Sequence, residues 1–221
     1  MKAPVYIDFE SNKKGELFLL SVKLGEVTTT YILDDRLKPL AESKLARNFN
    51  LVVAEADDVI KSLSELWNGE AQPVGAYSQN ERHILKEQFG LDIPFYLDIH
   101  KLAKKWINRN YKAEFEKLPT YKPKSKNWHE KGGTWSLEAI ARWQKLGIPK
   151  NYGRGKTTSR INAILNGFNS KGNYYSKLTS LRKKNAKHLL EHNVFDVEGL
   201  EKLYLRIQEE SPELVRRILS K

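Results

Sequence analysis

The chain has 221 residues and a formal net charge of +11, and it contains no cysteine. The ordinary apolar content predicts a globular protein with one sizeable core, and the missing cysteines exclude disulfides and thiolate metal sites. No apolar run approaches the roughly 20 residues that a membrane-spanning helix needs, and Asp8 and Glu10 arrive too early for a signal peptide, so we expect a cytoplasmic protein that does not contact membranes.

The charge is unevenly distributed along the chain. Residues 1–98 carry 11 basic and 16 acidic side chains, whereas residues 99–134 carry 10 basic and 3 acidic ones. Residues 150–190 carry 10 basic side chains and no acidic one. This pattern favours an acidic catalytic face flanked by a surface that binds nucleic acid. The alternative is a basic surface that serves solubility alone.

The first half of the chain predicts a sheet with helices between its later strands. Alternating apolar and β-branched residues predict three strands joined by short turns as an antiparallel meander, over residues 4–10, 16–24 and 28–33. Helices and strands then alternate, with helices over 57–67, 81–89 and 100–107 and strands over 72–77 and 94–99. We therefore expect an α/β fold with a mixed five-stranded sheet flanked by helices.

The second half predicts helices only. They cover residues 136–146, 158–167, 177–191 and 193–209, followed by a short tail helix, and Ser136 is the expected N-cap of the first of them. Residues 34–50 receive no firm assignment. Residues 108–134 show no period and are rich in basic and aromatic residues, which indicates a functional insertion. We expect one domain over residues 1–221, with this insertion and a basic helical segment at about 150–190.

Two carboxylates lie in the first strand, at Asp8 and Glu10. Side chains two residues apart in a strand point to the same face, so these two repel each other unless a cation lies between them. A divalent cation with oxygen ligands would relieve the repulsion. The alternative is a pair of solvated acids on the exposed face of the strand.

Five segments, taken in chain order, resemble the motifs of the DEDD exonucleases, the DnaQ-like proofreading branch of the ribonuclease H-like fold. Residues 5–10 (VYIDFE) resemble the first motif, and residues 74–81 (VGAYSQNE) resemble the second, with Glu81 where Asp is usual, as in YprB-like members. Residues 96–102, 136–148 and 192–197 resemble the three later segments, the last with Asp196 as its acid. The resemblance covers residues 3 to 206.

The resemblance implies a ribonuclease H-like fold and a two-metal-ion hydrolysis of phosphodiester bonds. Asp8, Glu10, Glu81 and Asp196 would hold two Mg²⁺ ions, with Mn²⁺ as a possible substitute, and Asp8 would bridge them. Such ions, about 3.5–4 Å apart, help to generate the nucleophile and to stabilise the leaving oxygen. Glu81 has an alternative as a solvated acid that the helix dipole favours.

His192 is the expected general base, because a histidine near the last acid would accept a proton from the attacking water. Its spacing is irregular for the family. Members carry His five residues before the last Asp or Tyr four before it, whereas this chain has Glu191 and His192 at those positions. His188, one turn earlier, leaves an alternative open.

Basic residues near aromatic residues favour single-stranded nucleic acid, since phosphates contact cations while bases stack on rings. The candidate contacts are Lys104, Lys105, Arg109, Lys124, Lys126, Trp128, Arg154, Lys156, Arg160, Lys183 and Lys184. Trp128 and Trp135 have core packing as an alternative role.

These observations predict a metal-dependent 3′–5′ exonuclease that acts on DNA or RNA, on single-stranded ends. Three alternatives stay open: a non-catalytic ribonuclease H-like protein that binds nucleic acid, an endonuclease on the same fold, and a basic scaffold without a site. Substitution of Asp8 changes nothing in the last case.

Overall fold

The computed structural model describes residues 2–12, 14–70, 72–118, 135–147 and 157–219. These residues form an α/β fold around one mixed sheet of six strands, in the order β4-β3-β2-β1-β5-β6. The strands are β1 (Val5–Ser11), β2 (Leu17–Leu24), β3 (Val27–Ile32), β4 (Leu51–Val53), β5 (Val74–Ala76) and β6 (Tyr96–Asp98).

The strand directions confirm the predicted meander. β1, β2 and β3 pair antiparallel, whereas β5 and β6 continue the sheet parallel to β1. The prediction of five strands is wrong by one, because β4 pairs parallel with β3 at the edge of the sheet. This strand lies just past the unassigned stretch, and its three residues are too few to show an alternating pattern.

The described helices are α1 (Leu45–Asn48), α2 (Ala56–Glu70), α3 (Asn80–Phe89), α4 (Ile99–Asn110), α5 (Lys112–Glu116), α6 (Leu137–Trp143), α7 (Thr157–Lys171), α8 (Ser180–Glu210) and α9 (Pro212–Leu219). A 3₁₀ turn covers Asp35–Leu40. Within the described ranges, no helix combines the length and the apolar character that crossing a bilayer requires.

The prediction of separate helices over 177–191 and 193–209 is wrong, because α8 runs unbroken for 31 residues. Asn193, at the start of the second predicted helix, has a low helix propensity. In the fold Asn193 is fully buried against the sheet, so tertiary packing overrides its low helix propensity.

The first part of the predicted insertion at 108–134 is helical, contrary to the prediction that it has no regular structure. α4 extends to Asn110, and α5 follows at Lys112–Glu116 with Phe115 buried under Trp135, their ring centroids 4.6 Å apart. Residues 119–134 lie outside the described part of the chain.

Helices cover both faces of the sheet, and the alternation along β1 decides which residue meets which layer. Val5, Ile7 and Phe9 pack against α2 and α3. Tyr6 points to the other face, where it joins the core that α4, α6 and α8 share. Because Asp8 and Glu10 continue the Tyr6 alternation, both carboxylates face the long helix α8.

A buried chain of polar side chains connects α8 to the sheet. Ser21, which pairs with Asp8 across β1 and β2, donates from its Oγ to Asn193 Oδ1 at 2.7 Å. The Ser21 hydroxyl also lies 2.9 Å from Thr30 Oγ1 on β3. Buried hydrogen bonds have strict geometry, so this chain defines the register of α8 on the sheet behind the first-strand carboxylates.

Candidate metal centre

The centre of the site is strand β1, which lies inside the sheet between β2 and β5. Asp8 pairs with Ser21 and Glu10 pairs with Leu19, and the register shifts between Glu10 and Ser11. Such a bulge bends the strand and redirects side chains, and bulges are common beside active sites. Asp8 and Glu10 are both partly buried, which argues against a pair of solvated acids.

Glu81 reaches the same region from the first turn of α3, which follows β5. Its side chain is 6% exposed, and its Oε2 accepts a hydrogen bond from Ser78 Oγ at 3.2 Å. Burial raises the pKa of Glu81 to about 7, although the hydrogen bonds to its carboxylate oppose that shift. The alternative of a solvated acid at a helix start is therefore wrong.

His192 and Asp196 lie one turn apart on α8, and the prediction that they share a helix face is confirmed. His192 Nε2 lies 3.5 Å from Asp196 Oδ2 and 3.9 Å from Glu10 Oε1. One ligand atom from each of Glu10, His192 and Asp196 fits within 4.8 Å of the other two. Asp196 and His192 on α8 therefore lie next to Glu10 on β1.

The other three acids all affect the pKa of Asp8. Burial raises its pKa well above the ordinary value, and repulsion from Asp196, Glu10 and Glu81 raises it further. The charges of carboxylates from three separate elements therefore act on Asp8, and among the described residues Glu10, Asp196 and His192 are the ones whose ligand atoms lie within 4.8 Å of one another. Hard oxygen donors with excess negative charge fit a divalent cation such as Mg²⁺ or Mn²⁺.

Asp98 lies near this centre but has a structural role. Its Oδ1 accepts from the Lys101 backbone N–H at 2.8 Å and so caps α4. Its Oδ2 accepts from Gln79 Nε2 at 2.9 Å. Asp98 therefore orients α4 and the β5–α3 turn beside the centre.

The predicted nucleic-acid contacts on α4 lie away from the carboxylates. Lys105 and Arg109 line a groove of about 720 Å³ with α9, and Arg109 pairs with Glu213. Asp98 caps α4, so at about 1.5 Å per residue Lys105 lies ~10 Å along the helix from Asp98. Lys104 Nζ lies 5.7 Å from the centroid of the Trp135 ring.

The contacts predicted on α7 and α8 differ in position. Arg160 was expected on a surface but is 6% exposed, and its Nη1 donates to the His188 carbonyl at 3.4 Å. Lys183 Nζ donates to the Ser176 carbonyl at 2.8 Å, whereas Lys184 is exposed. Lys124, Lys126, Trp128, Arg154 and Lys156 lie outside the described residues.

Two residues that support the centre were missed by the reasoning from sequence. Ser21 is the one hydroxyl in the apolar run Leu17–Leu24, a signal that could have marked it. Asn193 follows His192 directly, and only its burial reveals its bond to β2.

Comparisons of the chain with protein-family models, with curated proteins and with solved structures each found no match. The interpretation of the centre therefore rests on its own residues and their geometry.

Proposed function

We propose that this protein is a metal-dependent 3′–5′ exonuclease that hydrolyses phosphodiester bonds in single-stranded DNA or RNA. The observation that carries the proposal is the cluster of Glu10, His192 and Asp196, whose ligand atoms lie within 4.8 Å of one another, with the charges of Asp8 and Glu81 acting close by. Carboxylates repel one another at such proximity, and a fold retains that repulsion chiefly where a cation or a reaction uses it.

The sheet supports a ribonuclease H-like assignment. That fold has an antiparallel meander of three strands, followed by two strands that continue the sheet parallel to the first. The order β3-β2-β1-β5-β6 agrees with this plan, and β4 is an addition at the outer edge of β3. In such a fold the acids of the first strand, the next helix and a late helix lie at one end of the central strand.

The donor set fits hard divalent cations. Asp8, Glu10, Glu81 and Asp196 would hold them. Divalent ions at such a site polarise the phosphoryl oxygens and stabilise the charge that develops on the leaving oxygen. The acids themselves hold negative charge away from bulk water, so a phosphate approaches only when cations compensate them.

The position of His192 supports the role of general base. Its Nε2 lies 3.9 Å from Glu10 Oε1 and 3.5 Å from Asp196 Oδ2, so a water bound beside them would be within reach of the imidazole and of both carboxylates. The imidazole would accept a proton from the attacking water, while Asp196 and Glu10 orient the ring. The preference for a free 3′ end follows from the family resemblance of the five segments.

A cleavage assay tests the proposal. Single-stranded DNA and RNA of one sequence, labelled at the 5′ end, are incubated with Mg²⁺, Mn²⁺ or a chelator. The wild-type protein should shorten one or both from the 3′ end, and chelator or Asp8→Asn should abolish the reaction. Asp92→Asn serves as the matched control, because Asp92 is an exposed acid paired with Arg82.

The same assay separates the alternatives. A circular single strand cut at the rate of the linear one would identify an endonuclease. Salt-sensitive binding without cleavage in either metal would contradict the proposal and identify a non-catalytic nucleic-acid-binding protein.

A further inference from the structure

Arg160 contacts the backbone of His188, one turn before the candidate metal centre, and Lys184 precedes His188 by one turn on the same helix. Arg160 Nη1 donates to the backbone carbonyl of His188 at 3.4 Å. Burial lowers the pKa of His188, Glu191 opposes that shift, and Arg160, Lys184 and Lys187 lower the pKa further. All three cations therefore lie close enough to repel a proton on this imidazole.

The spacing along α8 aligns this cluster with the centre. Lys184, His188, His192 and Asp196 follow one another at intervals of four residues, so they form one slanted ridge in which each side chain is turned about 40° around the helix from the one before. Each interval advances about 6 Å along the helix axis. The ridge therefore leads from an exposed lysine, past a partly buried histidine, into the carboxylates.

Arg160, on α7, contacts the ridge at the backbone of His188 and is affected by the charge of Glu10 near its other end. Burial lowers the pKa of its guanidinium, while the charges of Glu10 and Glu191 raise it. A buried guanidinium is costly to desolvate, and its planar set of donors suits phosphate oxygens. Arg160 thus lies beside both a predicted metal ligand and the cations of the exposed end.

Lys183 contrasts with its neighbour Lys184. It lies about half a helical turn from the His192 ridge, because successive residues of an α-helix are separated by roughly 100°. Its Nζ donates to the Ser176 carbonyl at 2.8 Å and lies 5.8 Å from the centroid of the Tyr175 ring. The two lysines have the same charge and adjacent positions, but only Lys184 lies on the ridge.

We propose that Arg160 and Lys184 form a phosphate subsite, beside the backbone of His188, for a phosphate of the strand that extends beyond the scissile bond. This inference rests on the proposed function and specifies its substrate: a single strand that follows the N-terminal half of α8 into the centre. A subsite that contacts phosphate holds DNA and RNA of any sequence, because phosphate contacts carry no base information.

Binding is measured first, in an Asp8→Asn background so that the strand stays intact. The anisotropy of fluorescein-labelled decathymidylate is followed against KCl concentration for Lys184→Gln, Arg160→Gln and the control Lys183→Gln. Loss of one phosphate contact should weaken binding about threefold to tenfold and reduce the slope of log K against log salt by about 0.7. Lys183→Gln should match its parent.

Equal affinities and slopes for Lys184→Gln and Lys183→Gln would overturn the subsite. This comparison does not depend on whether Arg160→Gln folds, since Lys184 is exposed. Failure of the wild-type protein to bind the strand at any salt concentration would overturn it as well.

Cleavage then separates the subsite from the proposed function. The rates on decathymidylate and on the p-nitrophenyl ester of thymidine 5′-monophosphate, which has a single phosphodiester, are compared as a ratio. Lys184→Gln should lower the ratio about threefold to tenfold relative to Lys183→Gln, since only the longer substrate has a neighbouring phosphate. An unchanged ratio would contradict the subsite, whereas a wild-type protein that binds but cleaves neither substrate would contradict only the proposed function.

Discussion

Two regions of α8 differ in the sign of their charge and in how deeply the charged side chains are buried. Around Asp196 the helix contributes to a space where burial, together with repulsion from Asp196, Glu10 and Glu81, raises the pKa of Asp8. Along its N-terminal half, Lys184 and Lys187 are exposed, and Lys187 Nζ lies 3.4 Å from Glu191 Oε1. Exposed cations cost the fold little, whereas crowded and partly buried acids destabilise it unless a ligand compensates them. The crowded region is therefore the stronger evidence for function.

The comparison is tested most strongly by Asp196→Asn beside Asp98→Asn. We expect Asp196→Asn to lower the cleavage rate about a thousandfold, which corresponds to ~4 kcal/mol of barrier, because it removes one charged donor from the centre. Asp98→Asn should keep most of the activity, since Asn also caps helices well and Asp98 acts through the α4 terminus. The measurement is single-turnover cleavage of the preferred labelled strand. Equal losses in the two variants would contradict the distinction between ligand and cap.

His192 sharpens the comparison, because it lies between the two regions. We expect His192→Gln to lower the cleavage rate by about 10²–10³, the usual contribution of a general base, and to leave Mn²⁺ affinity within about twofold. Calorimetric titration with Mn²⁺ and the rate assay are run on the same preparation. A parallel loss of metal affinity and rate would instead identify His192 as a ligand, which its position among the ligand atoms also permits.

Glu81 allows the repulsion in the centre to be measured as stability. Its folded pKa of about 7 exceeds the ordinary 4.5, so between these pH values the folded state binds more protons than the unfolded state. Stability should therefore fall as pH rises through this window, by about 3 kcal/mol from this residue. In chelator, the unfolding free energy of the wild type relative to Glu81→Gln should show this fall.

Metal gives the complementary measurement for Glu81. Mg²⁺ should stabilise the wild type more at pH 8 than at pH 5, because deprotonated carboxylates bind the cation and protonated ones do not. In chelator, a difference in unfolding free energy between the wild type and Glu81→Gln that does not change between pH 4.5 and 7 would contradict the raised pKa of Glu81.

The sequence predicted the parts of the fold that have a local signal. Strands β1 to β3 show alternation over six to eight residues each, and the helix that Ser136 caps begins where predicted, with Ser136 Oγ accepting from the Ala139 N–H. β4 has three residues, too few for a period. The continuity of α8 through Asn193 depends on a bond to Ser21, 172 residues earlier in the chain, which no local pattern contains.

The predicted site residues also divide into those with a motif in the sequence and those without one. The carboxylates followed from motif order, and two of them, Glu10 and Asp196, have ligand atoms within 4.8 Å of each other and of His192. The basic residues were chosen by charge alone, which does not distinguish buried Arg160 from exposed Lys184, or Lys184 from Lys183 on another face of α8. Burial and helix phase are properties of the folded chain, so the division of these cations required the structure.

Asn193 joins the two regions of α8, and its replacement tests whether one depends on the other. Its side chain is fully buried, its Oδ1 accepts from Ser21, and within the described residues its Nδ2 has no hydrogen-bond partner. Asn193→Ala should lower the free energy of unfolding by about 1–3 kcal/mol, because it leaves the Ser21 hydroxyl with one partner fewer in a buried site. Asn185→Ala, on the same helix and only partly buried, should be neutral or slightly stabilising, since Ala is the better helix former.

Urea denaturation in chelator measures both variants, and strand binding is then compared with cleavage. Because Asn193 defines the register of α8 on β2, we expect Asn193→Ala to reduce cleavage more than binding. The centre requires side chains from three elements to meet, whereas Lys184 and Lys187 belong to α8 alone and keep their spacing if the helix shifts. Equal effects on cleavage and binding would mean that the helix moves as a whole, and that the basic half also depends on its register against the sheet.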